Sequence, residues 1–214
     1  MRWLSKERWR PRLATVVIAI LIVVMALPLV GLFFFRLYEN QLIRQTEGEL
    51  IAQGAVVAAV YAREVRAAGI PQEKLGAPIS ADPARDNNYP YEPIEPRLDL
   101  ASDDVMPMRP AAAPAASDPA FAAIGAKLSG ILDETQKTTL AGFRLLDPRG
   151  VVIAGGDEIG QSLSGVEEVR AALSGAYASE LRLRIPDQPP PPLYSVSRGT
   201  RVRVFVAMPV ELDG

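Results

Sequence analysis

At 214 residues the chain has room for one ordinary domain with additions, and 49% hydrophobic residues with a mean hydropathy of +0.11 is high for a protein surrounded by water. A formal net charge of −2 gives no electrostatic case for nucleic-acid binding. With no histidine and no cysteine, the polypeptide excludes a Ser/His/Asp triad, a Cys/His nucleophile pair, a histidine-bearing zinc site, a phosphoaccepting histidine and a disulfide framework.

Residues 1–12 carry Arg2, Lys6, Arg8, Arg10 and Arg12 against Glu7 alone. Residues 13–35, "LATVVIAILIVVMALPLVGLFFF", then run uncharged for about 35 Å as a helix, enough to cross a hydrocarbon core of about 30 Å. The run has no polar face, which argues against a buried core helix. It is longer than the apolar part of a cleaved signal and closes on Phe33-Phe34-Phe35-Arg36 without a small-residue cleavage pattern, so an uncleaved anchor is the better reading. Pro28 is tolerated in such a span. The basic flank predicts a cytoplasmic N-terminus and an exported remainder, which is mildly acidic.

Residues 36–70 are rich in helix formers and free of proline, with Ile43, Leu50 and Val57 seven apart and Leu42, Ile51, Val60 and Tyr61 widening the stripe. An outward helix follows, ended by Gly69-Ile70-Pro71. Its stripe either packs on its own domain or also pairs with a second copy in a homodimer. Residues 71–118 hold nine prolines with little apolar periodicity and read as an extended or disordered insert. Asp82, Asp86, Asp103 and Asp104 lack the spacing of a calcium loop.

Order resumes over 119–214. Ser117 or Asp118 can cap a helix that has Pro119 in its first turn and Phe121, Ile124, Leu128, Ile131 and Leu132 on one face. "GFRLLDPRGVVIAGG" predicts a hairpin turning at Asp147 to Gly150. Ser164-Gly165-Val166-Glu167 matches a capping box before a short helix that Gly175 stops. Strands are predicted over 179–185, 193–198 and 201–210. The sum is an α+β domain with a central antiparallel sheet. The last strand runs into Asp213-Gly214, a hairpin dipeptide, so the domain is expected to be incomplete at its C-terminus, truncated before a further strand.

The carboxylates at turns and helix starts, Asp147, Asp157, Glu158, Glu167 and Glu168, are explained by capping and solvation, so no enzyme, metal site or cofactor is expected. "AGGDEIG" has neither the spacing of a dinucleotide loop nor a following Lys-Ser/Thr. On the predicted strands Leu181, Leu183 and Ile185 share one side, with Glu180, Arg182 and Arg184 opposite; Val202, Val204, Val206 and Met208 likewise oppose Arg201, Arg203 and Phe205. If the second faces coincide, Arg182, Arg184 and Arg203, with Tyr177 or Tyr194, form a candidate site for a small carboxylate or phosphate; an ordinary solvated face is the competing reading.

The order of parts, with "FRLLDPRGVVIAGGDEIGQSLSGVEEVRAALSGAYASELR" and "RVRVFVAMPV", resembles the periplasmic sensing region of bacterial membrane-bound sensor histidine kinases, of the PAS-like Cache type, over residues 13–70 and 119–214. The proline-rich insert departs from that pattern. The resemblance implies an inner-membrane protein with a periplasmic domain that binds a small-molecule or envelope ligand, typically as a homodimer. It further implies that a second span, a signal converter and the kinase parts follow, none of which is present in these 214 residues. A chemoreceptor or diguanylate cyclase input, or a single-span envelope scaffold binding proteins through its proline-rich stretch, shares the same front end.

Overall fold

The computed structural model describes residues 12–78, 93–183 and 202–212, so the predicted strand over 193–198 lies outside the described residues. The chain divides into two compact units, up to Gln41 and from Leu42 onward. Helix α1 covers Leu13–Ala67 and spans that boundary. In the first unit its apolar side chains are exposed on every side, and the helix is long and apolar enough to cross a membrane by length and composition. Pro28 lies inside it without ending it.

The second unit is mixed helix and sheet. Strand β1 is Ala113–Pro114, α2 is Pro119–Thr139, β2 is Leu145–Leu146, β3 is Val152–Ala154 and β4 is Gln161–Ser162. Helix α3 is Glu167–Leu173, and the ribbon β5 (Ala178–Leu183) with β6 (Val202–Ala207) completes it. One continuous central sheet was expected; the strands instead form three antiparallel pairs, β1 with β4, β2 with β3 and β5 with β6.

Each predicted helix has a local cause. Asp118 caps α2, its carboxylate accepting from the Ala120 amide at 2.9 Å, with Pro119 at the first helical position. Phe121, Ile124, Leu128 and Leu132 are buried, but Ile131 is 53% exposed and belongs to the outer face. Glycine at 125 is required: a Cβ there would stand 2.1 Å from the Ile153 carbonyl oxygen, so α2 lies with its backbone directly on β3. The capping box predicted for α3 does not form, because the helix starts at Glu167 with Val166 as its uncapped N-cap, while the Ser164 hydroxyl meets that of Ser162 at 2.9 Å. Its end is as expected. Gly175 has φ of 92°, the Ala176 amide donates to Ala171 and the Gly175 amide to Ala172, the pattern of a Schellman stop.

The predicted hairpin turns where expected, around a buried Asp147 whose Oδ1 accepts from the Arg149 and Val151 amides. Both faces of β2–β3 are apolar. Leu145 and Ile153 face Tyr61 and Val65 of α1 and the buried stripe of α2, while Leu146 and Val152 face Val166, Val169 and Leu173 around α3. Each such fully buried aliphatic side chain contributes about 1.5–3 kcal/mol. The stripe of α1 thus packs on its own domain.

The proline-rich insert was expected to be extended or disordered. Its described part, 93–118, is extended but held in place: Leu98 is buried with Ile43 and Leu181, and Met106 exchanges backbone hydrogen bonds with Leu181 and Leu183 along the outer edge of β5. Backbone pairing, which leaves little trace in an aperiodic sequence, is what fixes it.

Candidate functional site

Two sets of buried polar groups lie on the two faces of the β5–β6 ribbon. The register sets Arg182 opposite Arg203, Glu180 opposite Phe205 and Leu181 opposite Val204, so the two predicted basic faces do coincide. That face is turned toward α3. Arg182 is 3% exposed: its Nε and Nη2 grip both carboxylate oxygens of Glu168 at 3.0 and 2.6 Å, and its Nη1 donates to the Pro107 carbonyl at 3.2 Å. A buried fork-to-fork pair of this kind raises the guanidinium pKa through the Glu168 hydrogen bond. Burial and then the Glu168 charge push Glu180 above the usual carboxylate range.

The other face carries Ser179 and Leu181 and is turned toward α1. Here Glu47, fully buried, is a four-way acceptor. Its Oε1 takes the Tyr177 hydroxyl at 2.9 Å and the Ser179 hydroxyl at 2.7 Å; its Oε2 takes the Arg97 and Leu98 amides, each at 2.9 Å. One side chain therefore joins α1, the 97–98 segment and β5. The Arg97 guanidinium lies 5.7 Å from the centre of the Tyr177 ring. Burial, followed by the Glu47 hydrogen bond, pushes the Tyr177 phenol up to about 12.

The described members of the predicted site fall on two sides of the ribbon. Arg182 and Arg203 share the α3 face, Tyr177 reaches the α1 side, and Arg184 and Tyr194 lie outside the described residues. Sequence reasoning missed Glu47 and the role of Glu168. A signal for Glu47 exists: it falls four residues after Ile43 on the apolar stripe of α1, where a charge is out of place unless it is paired.

A cleft of about 1200 Å³ opens within the same unit. Its lining includes residues 143–146 and 202–212, and α1 contributes Leu50, Gln53, Gly54 and Val57. Also in its lining, Glu158 pairs with Arg109 and, at 3.1 Å, with Arg144. Burial acts to raise the Glu158 pKa, but the hydrogen bonds from the two arginines outweigh it and hold the group below the usual carboxylate range. Among the described residues no cluster of three or more potential ligands could hold a metal ion. Glu47 and Glu168 are engaged as acceptors, which suits them to holding elements together. Comparison with protein-family models, with curated proteins and with solved structures returns no match for this chain.

Proposed function

We propose that the chain is the extracytoplasmic sensing region of a bacterial two-component sensor histidine kinase, a PAS-like domain of the Cache type. In this reading residues 13–35 anchor it in the inner membrane with the N-terminus in the cytoplasm. The observation that carries the reading is Glu47: the same helix that supplies an apolar stretch long enough for a membrane also inserts a carboxylate under β5, where it accepts from Tyr177 and Ser179. A binding event on the ribbon thereby bears directly on α1. Ligand and Glu47 contacts select between arrangements of that helix, and the selection is passed on as a population shift. A small carboxylate or phosphate acts by competing with Glu168 for Arg182, releasing α3 from the ribbon. In this reading the phosphoaccepting histidine is not among these 214 residues, which contain none.

The test has two arms. Protease added to intact spheroplasts removes the part after Phe35 if the topology is right; full protection overturns it. Thermal shift of the full chain in detergent against small carboxylates and phosphates gives a rise equivalent to about 2.7 kcal/mol at a hundredfold excess over Kd for a true ligand. No shift with any of them overturns the anion-sensing assignment.

A further inference from the structure

Residues 97–107 run along the outer edge of β5, and the buried charged groups on both faces of the ribbon hold them. At one end the Arg97 and Leu98 amides donate to Glu47 Oε2, each at 2.9 Å. Arg44 adds hydrogen bonds to the Leu98 carbonyl and the Asp99 carboxylate, both at 3.3 Å. At the other end Met106 brackets Arg182: its amide donates to the Leu181 carbonyl at 2.8 Å and its carbonyl accepts from the Leu183 amide at 3.1 Å. The Arg182 guanidinium itself donates to the Pro107 carbonyl at 3.2 Å. Glu47 and Arg182 thus have a second link between them besides β5.

The link is stiff in its middle and lightly held at its ends. Its middle is a closed turn, in which the Asp99 carbonyl accepts from the Ser102 and Asp103 amides at 3.2 and 2.8 Å, the Asp99 carboxylate from the Ala101 amide at 2.9 Å, and the Asp103 carboxylate from the Asp99 amide at 2.7 Å. A displacement at one end is therefore passed on instead of being taken up as slack. Of residues 97–107 only Leu98 is buried, with Leu100 and Val105 packed beside it, so directed bonds do most of the holding. A segment held in this way opens locally at less cost than the whole domain. Arg109, paired with Glu158, fixes the chain just beyond and confines the movement to these residues.

We propose that residues 97–107 form a strap that seats and lifts as one unit, so that freeing Pro107 from Arg182 also frees the Arg97 and Leu98 amides from Glu47, and the reverse. Such coupling is reciprocal by linkage. The route it gives from an anion at Arg182 to α1 rests on the sensing proposal; the strap itself is tested with no ligand present, so the two fail separately. Hydrogen exchange is followed on the full chain in lipid nanodiscs, with the α2 amides as the reference for opening of the whole domain. Arg182→Met with Glu168→Leu leaves no buried charge unpaired. It speeds exchange of the Leu98 amide, at the far end of the strap, about tenfold. Glu47→Gln, the milder change, does the same to the Met106 amide. Two glycines inserted after Ala101 slacken the turn, and in that background neither change reaches the far end. An unchanged far-end amide in either variant, an acceleration that α2 shares in both variants, or one that persists in the slackened chain each overturn the inference.

Discussion

The two ribbons of this domain are built on opposite principles. Around β2–β3 both faces are covered by apolar side chains, and the closest contact is backbone against backbone at Gly125 and Ile153. Around β5–β6 each face carries a buried charged group, Glu47 toward α1 and the Arg182–Glu168 pair toward α3. Apolar contact is insensitive to direction and forgiving of small shifts; a buried charge holds only in one geometry and is costly when a partner leaves. The first ribbon is therefore a packed foundation and the second a joint of directed polar contacts.

This contrast can be broken most forcefully at Arg182. Removing it strands Glu168 at 4% exposure, and Arg182→Ala should cost about 3–5 kcal/mol in chemical denaturation, most of it recovered by the paired change Arg182→Met with Glu168→Leu. A cost below about 1 kcal/mol for the single change would contradict the pairing. On the apolar side Gly125→Val forces α2 off β3 and should cost about 3 kcal/mol, measured in the same way. Glu47→Gln keeps the shape but replaces a charged acceptor of four bonds, and should cost about 2 kcal/mol with faster exchange of the Leu98 amide; unchanged exchange there would detach Glu47 from the 97–98 segment.

Acid titration sharpens the comparison further, because the two ribbons respond with opposite signs. Glu158, beside β2, has its folded pKa lowered, so its stabilisation is complete above the unfolded value of about 4.5 and is lost as pH falls through the folded one. Glu180 on β5 has its folded pKa raised, so its ionisation opposes folding at neutral pH and that opposition is relieved as pH falls toward about 4.5. Urea midpoints across the acid range should show Glu158→Gln flattening the slope below that value and Glu180→Gln flattening it above. The smallest effect expected is at Ile131 on the outer face of α2, where Ile131→Lys should change stability by no more than about 0.5 kcal/mol.

Much of the foundation was legible in the sequence. The cap at Asp118, the hairpin around Asp147 and the stop at Gly175 all rest on short-range chemistry that a window of a few residues contains. The stripe of α1 was legible for the same reason, as a period of 3.6 in apolar residues. Ile131 was misassigned because it neighbours Leu132 and the pattern alone does not fix the edge of a face. The end of α2 at Leu140, a left-handed leucine with φ of 61°, has no sequence signal, since glycine is the residue that usually occupies such a position. The polar part of the ribbon was hidden more deeply. Ser164 and Glu167 matched a capping box, which drew attention from Glu168; its partner Arg182 lies 14 residues away, and Glu47 lies 132 residues from Ser179. Pairings at that separation depend on how the chain folds back and not on any local pattern.

The convergence on Glu47 has a mechanical consequence. Four donors from two separate stretches of chain, 97–98 and 177–179, meet the two oxygens of one rigid carboxylate, so they cannot be surrendered one at a time by motion of the helix. A slip by one residue means about 1.5 Å along the axis and about 100° of turn, which carries the side chain away from all of them together. The contact is built like a detent in a bolt: its four bonds are seated together or lost together.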